Sequence, residues 1–246
     1  MISRPAGELN GLVILVTGAT GSAGRATVRA LARAGAEVVA VGRDEHRLAT
    51  LFAGLPGVHC QVAEISDTEH CEALADRVRR RHHRIDGLVH LVGGWRGGSG
   101  FTANSDDDWG YLSRTLIDSL RHITMALHDD LAASSDGRAV IVSATAAERP
   151  TPGGANYAAA KAATEAWMLA MAESFRRLQS GAKSEPFPQR SAATILIIKA
   201  LVDQGMRDAA PDKQFTGFTD VRDLADRIVD LFTDEPAEVN GARLLM

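Results

Sequence analysis

Seven short apolar runs, separated by longer stretches of helical periodicity, constrain this 246-residue chain more than any other feature. The runs are Leu12–Val16, Glu37–Val41, His59–Val62, Gly87–Val92, Ala139–Val142, Thr194–Ile198 and Ala242–Leu245. Between them lie Ser22–Ala34, Glu45–Phe52, Asp67–Arg81, Asp107–Ala132, Asn156–Leu178 and Asp220–Phe232, each with a helix-like pattern. Alternation of this kind from end to end predicts a mainly parallel sheet with helices on both faces. The runs are apolar throughout rather than alternating, as strands covered on both sides require. No linker and no internal repeat interrupts the pattern, so residues 1–246 are read as one domain, a length that can bury a full core.

Composition excludes several classes of function. The net charge is −4 and no basic stripe is present, which gives no reason to expect a nucleic-acid partner. Arg77, Arg79, Arg80, Arg81 and Arg84, with His82 and His83, form a basic run. It ends an amphipathic stretch, where cations suit a helix C-terminus, and is read as a solvated helix end. The two cysteines, Cys60 and Cys71, lack metal-type spacing, so neither a disulfide framework nor a zinc site is expected from them. No apolar run approaches a membrane span and the N-terminal residues lack a signal-peptide pattern, so a cytoplasmic protein is expected.

The first apolar run leads into Thr17-Gly-Ala-Thr-Gly-Ser-Ala-Gly24. A glycine-rich turn between a strand and a helix lets backbone approach a pyrophosphate closely, and the helix N-terminus offers free N–H groups and a partial positive charge. The spacing is G-x-x-G-x-x-G, through Gly18, Gly21 and Gly24, rather than G-x-G-x-x-G. Thr20, Ser22 and Ala23 complete this candidate phosphate cradle. Arg43 follows the second run, where a carboxylate would bind the ribose of NAD or an arginine would meet the extra phosphate of NADP. Gly42 leaves no carboxylate at the tip, so NADP is preferred and NAD stays possible. Asp44 or Glu45 can instead pair with Arg43 and make it a plain surface residue.

Far downstream, Tyr157 and Lys161 stand four residues apart in Asn156-Tyr-Ala-Ala-Ala-Lys161. Four residues is about one helical turn, which puts phenol and ammonium on one face. A phenol with pKa ~10 is a poor acid–base group at neutral pH, and a fixed positive charge beside it favours the phenolate. Two loops stand out as well. Gly93-Gly-Trp-Arg-Gly-Gly-Ser-Gly100 leaves the fourth run at the end of the sheet where ligands bind, whereas the stretch over residues 179–191 enters the sixth from the opposite end and reads as a surface insertion. Trp95 either lines a pocket or anchors its loop on the core. Asp106-Asp-Asp108 fits the acidic first turn of a helix better than a metal site. His122 and His128 have no partner motif and are read as helix-surface or interface residues.

Taken together these residues resemble the short-chain dehydrogenase/reductase family over essentially the whole chain. The resemblance rests on Thr17-Gly18 through Gly24, on Glu64-Ile-Ser-Asp67 after the third run, on Ser143 after the fifth, and on Tyr157 with Lys161. It implies a Rossmann-type, doubly wound parallel β-sheet, binding of NADP or NAD, and interconversion of a small-molecule alcohol and carbonyl. By that similarity Glu64 and Ile65 lie against the adenine, and Val92 and Gly93 line the ribose side. Tyr157 would give or take the substrate proton, Lys161 would lower its pKa and bind the nicotinamide ribose, and Ser143 would hold the carbonyl. A homodimer or homotetramer through the long fourth and fifth helices is implied as well.

The chain departs from the family pattern in several places. Glycine stands at position 21 rather than 22. The usual Asn-Asn-Ala-Gly reads His90-Leu-Val-Gly93, so its strand-locking side chains are absent. Leu116 occupies the place of the fourth-helix asparagine of the water-linked proton relay, and Lys199-Ala200 replaces Pro-Gly after the sixth run. The family's serine aligns with Ala144, and either Ser143, through a one-residue loop difference, or Thr145 can supply the hydroxyl. Two functions therefore follow: an NADP-dependent oxidoreductase, or a catalytically degenerate dinucleotide-binding protein with a sensing or scaffolding role.

Overall fold

A computed structural model describes residues 8–181 and 187–246. Its strands are β1 (Val13–Thr17), β2 (Glu37–Gly42), β3 (Val58–Val62), β4 (Gly87–His90), β5 (Arg138–Ala144), β6 (Ala192–Ile198), the two-residue pair β7 (Leu201–Val202) and β8 (Thr219–Asp220), and β9 (Arg243–Leu245). The helices are α1 (Ser22–Arg33), α2 (Glu45–Phe52), α3 (Thr68–His82), α4 (Asp106–Leu112), α5 (Ser119–Ala133), α6 (Ala155–Leu178), α7 (Gln204–Ala209), α8 (Val221–Asp230) and α9 (Pro236–Val239). The stretch expected as one helix over 107–132 is continuous, but residues 113–118 between α4 and α5 form a π-helical turn.

Seven strands make one sheet in the order β3-β2-β1-β4-β5-β6-β9, every pair parallel. This is the doubly wound sheet expected from the alternation. Side chains alternate across it into two apolar layers. One joins Leu15, Val39 and Ile141 to α3, α5 and α6; the other joins Ile14, Val38 and Val140 to α1 and α8. Central strands are buried on both sides, which explains their uninterrupted apolar character. The edge strand β3 departs from that rule, with Val62 45% exposed.

Strand order reverses between β1 and β4, so their carboxyl ends flank the crevice where such sheets bind ligands. Among the described residues, no helix is long and apolar enough to cross a membrane. The expected loop over 179–191 includes residues 182–186, which lie outside those described. Its two ends are tied together, for Gln179 accepts the backbone N–H groups of Arg190 and Ser191.

Candidate functional site

The glycine turn leaves β1 at the switch point. Gly18 has φ +72°, a left-handed conformation that suits glycine, and a Cβ there would sit 2.7 Å from the Leu91 carbonyl oxygen of the chain leaving β4. Gly24 lies in the first turn of α1, and a Cβ would fall 2.2 Å from the Gly18 carbonyl oxygen. Helix and turn therefore pack backbone against backbone. Gly21 is looser, with 3.4 Å to the same oxygen. It is the N-cap of α1, and it supplies no side-chain cap; the first turn of α1 also carries no acidic residue. By contrast α2, α3, α4, α7 and α8 are each capped by a side chain, from Asp44, Asp67, Ser105, Asp203 and Asp220. The donors opening α1 are thus left for an anionic group to satisfy.

Arg43 stands at the tip of β2 with its side chain 80% exposed. Neither Asp44 nor Glu45 holds it: Asp44 accepts the Arg47 N–H as the cap of α2, and the partner of Arg43 is Glu64, at a loose 3.6 Å. The other Glu64 oxygen accepts the N–H groups of Ile65 and Ser66. Arg47, which motif reasoning passed over, donates to the Thr20 carbonyl at 3.3 Å and so brings a second guanidinium to the cradle.

Tyr157 and Lys161 lie on α6, at the carboxyl end of β5. The Lys161 Nζ is buried and donates to the Val142 carbonyl at 2.8 Å, and it sits 5.9 Å from the centroid of the Tyr157 ring. Burial pushes Lys161 down to about 8, with the Glu165 carboxylate acting in the opposite sense. Burial also raises Tyr157 above the ordinary tyrosine value. In this arrangement the Lys161 ammonium is directed at a strand carbonyl rather than at the phenol oxygen. Val92, Leu116, Lys161 and Thr164 line a small cavity with about 10 Å³ for water centres, room for one water.

Ser143 lies differently from the sequence expectation. Its hydroxyl is buried and donates to the Glu165 carboxylate at 2.5 Å, while Arg243 from β9 donates to the second carboxylate oxygen at 2.8 Å. That hydroxyl is already engaged, so Ser143 is not a free group for a carbonyl. Ala144 is buried and carries no hydroxyl; Thr145, on the turn that follows β5, is half-buried.

His90 corrects another expectation. It takes over the strand-locking role of the missing asparagines: the Thr17 hydroxyl on β1 lies 2.9 Å from its Nδ1, and Ser119 Oγ on α5 lies 3.3 Å from its Nε2. Because Ser119 donates its own proton to the Thr115 carbonyl, Nε2–H is the donor to Ser119 and Nδ1 accepts from Thr17. Burial lowers His90 to about 3, so the ring stays neutral.

The loop after β4 covers the start of α6. Gly98 N–H donates to the Gly153 carbonyl, and the Asn104 side chain bonds the carbonyls of Phe101 and Pro152 while accepting from the Asn156 N–H. Arg96 lies over the Tyr111 ring at 3.9 Å, and Tyr157 packs in the same cluster as Tyr111. Trp95 is 66% exposed, which rules out its role as a core anchor. Asp106, Asp107 and Asp108 form the first turn of α4, as their charge suggested.

The family model for short chain dehydrogenases matches residues 12–179. The chain belongs to the short-chain dehydrogenase family. Among its relatives, the 3-oxoacyl-(acyl-carrier-protein) reductase FabG of Thermotoga maritima is 28% identical over 204 residues, covering 77% of this chain and 82% of that protein. A short chain dehydrogenase of Shigella flexneri 2a, solved with NADP, superposes with a TM-score of 0.83 at 22% identity, over 98% of this chain and 99% of that one. An NADPH-bound short chain oxidoreductase from Pseudomonas aeruginosa PAO1, described as containing an atypical catalytic centre, gives 0.83 at 23% identity, over 98% and 97%. This short-chain dehydrogenase is thus an oxidoreductase by family, built on the family's sheet.

Proposed function

We propose that this short-chain dehydrogenase is an NADP-dependent oxidoreductase that interconverts a small-molecule alcohol and carbonyl. The observation that carries the reading is that Lys161, bonded to Val142 near the carboxyl end of β5, and Tyr157 one turn before it stand at the same end of the sheet as the glycine turn that opens α1. The cradle fits a dinucleotide: Gly18 and Gly24 admit no side chain, and the α1 amides have neither a cap nor a neighbouring carboxylate. Arg43 and Arg47 favour a 2′-phosphate over a bare ribose, because guanidinium groups fork onto phosphate. The NADP-bound and NADPH-bound relatives point the same way.

When bound, the dinucleotide supplies or accepts the hydride at its nicotinamide ring. The protein's own part is positional and protonic. Tyr157 would hold and transfer the proton of the substrate oxygen, and Lys161 would hold the cofactor's ribose and bring its charge to the phenol. With Ser143 bound to Glu165, Thr145 is the hydroxyl that meets the carbonyl, and Ser143 braces the helix that carries the catalytic pair. Val92, Gly93, Glu64 and Ile65 flank the nucleoside. The exposed Met125 on α5 and Leu169 on α6 suit a homo-oligomer through these helices. A cytoplasmic setting, with NADPH as reductant, agrees with this chemistry.

The alternative is a dinucleotide-binding sensor or scaffold, favoured by the engaged Ser143 hydroxyl and by the raised Tyr157 phenol. Fluorescence titration with NADPH, followed by absorbance assays on a carbonyl panel with wild type and Tyr157→Phe, separates the two. Turnover lost in the variant with NADPH binding kept supports the enzyme. Binding with no turnover on any carbonyl leaves the scaffold.

A further inference from the structure

At the end of the sheet away from the glycine turn, three metal-ligating side chains meet that the oxidoreductase reading does not use. Val39 pairs with His59 across β2 and β3, so Glu37, two residues earlier, is the diagonal neighbour of His59 on the same face. Helix α3 covers that face, and its last residue, His82, comes down beside them. The Glu37 Oε2 lies 2.5 Å from His59 Nε2, the two imidazole centroids are 4.9 Å apart and tilted by 58°, and one ligand atom from each residue falls within 4.8 Å of the others. All three are partly exposed, so an ion can reach them without unfolding the edge.

We propose that Glu37, His59 and His82 form a binding site for a borderline divalent transition-metal ion, of which Zn²⁺ is the representative. Two imidazoles and one carboxylate are a donor set that suits zinc, cobalt and nickel better than calcium or magnesium. Tetrahedral zinc at about 2.0–2.1 Å from its ligands needs donor atoms about 3.3 Å apart. The pair at 2.5 Å opens slightly and the wider contacts close, both within the reach of side-chain rotation. Solvent supplies the fourth ligand.

Two surrounding features bear on occupancy. The C-terminal end of α3, capped by His83 in a left-handed conformation, presents its negative dipole end to this corner. Against the ion stands Arg81, whose guanidinium lies 3.2 Å from His59 Nδ1. Metal on Nε2 of a neutral imidazole places the proton on Nδ1, which then faces a donor. Binding therefore requires the exposed Arg81 side chain to swing away.

The position assigns a structural role. The ion joins β2, the edge strand β3 and the end of α3, and an ion that binds only the folded chain raises its stability by mass action. The site is far along the sheet from Tyr157 and stands whether or not the proposed activity does.

The test uses tag-free full-length protein stripped with a chelator. Titration with CoCl₂ is expected to give the visible absorption of tetrahedral Co²⁺, displaced by ZnCl₂, and ZnCl₂ is expected to raise the thermal midpoint. His82→Gln and His59→Gln each weaken binding at least tenfold and remove the midpoint shift; Arg81→Ala strengthens binding. Absence of a cobalt spectrum and of any zinc-dependent shift overturns the proposal. So does zinc binding that His82→Gln leaves unchanged, since it places the ion on other histidines.

Discussion

The Ser143 hydroxyl donates to the Glu165 carboxylate at 2.5 Å inside the protein, two helical turns along α6 from Tyr157. Arg243 holds the other oxygen, so strand β9 helps fix the helix that bears Tyr157 and Lys161. Ser143→Ala leaves a buried carboxylate with one donor fewer, a loss of about 1.5–3 kcal/mol for a bond to a charged group. Urea unfolding is expected to register that loss while turnover stays near wild type. Thr145→Val is expected to do the opposite, lowering kcat/KM by about 10²-fold as removal of a single oxyanion donor does. The reverse pattern would return the carbonyl-holding role to Ser143.

Glu165 also bears on Lys161. Burial holds Lys161 at about 8, and the carboxylate one turn away keeps it from falling further. Below that pH the amine carries its proton; above it the charge is lost. Glu165→Gln removes the opposing influence, so the alkaline limb of the kcat/KM profile is expected to move to lower pH. A limb that stays in place would show that Lys161 does not limit activity there.

Arg43 and Arg47 flank the cradle without a tight carboxylate partner. Replacing both with alanine is expected to raise the NADPH dissociation constant by about tenfold, a discounted value for exposed guanidinium–phosphate contacts, with NADH nearly unaffected. Fluorescence titration with both cofactors checks it. Equal weakening of the two would mean the arginines meet the shared diphosphate instead.

His90 ties β1 to α5 as a neutral ring at a pKa near 3. An unfolded histidine takes up a proton near pH 6.5, which the buried ring refuses until far lower. Between those limits the unfolded chain binds the extra proton, so stability present at pH 7 is expected to decline as pH falls through 6.5 toward 3. Urea midpoints at pH 7, 5.5 and 4.5 should show a smaller decline for His90→Gln than for wild type.

Much of the fold could be read from the chain because its determinants are local or repetitive. The alternation of apolar runs reports burial on both faces, and α2 falls on its expected residues because Asp44 caps it. Gly18 and Gly24 were legible since the turn needs them for backbone contact. The features that stayed hidden are contacts between distant residues. Ser143 meets Glu165 only through the packing of β5 against α6, which no spacing rule encodes. His90 looked like a lost asparagine, yet its two ring nitrogens join β4 to β1 and to α5. Strands β7 and β8 are two residues each, too short for a period, and the π turn at 113–118 lacks a compositional mark. Arg47 was passed over because its significance comes from the Thr20 carbonyl across the crevice.

Asn104 bonds the cover loop to Pro152 and, through its side-chain oxygen, to the amide immediately before Tyr157. The cover and the opening turn of α6 are therefore tied at one amide, so a displacement of the loop is carried to the backbone beside Tyr157.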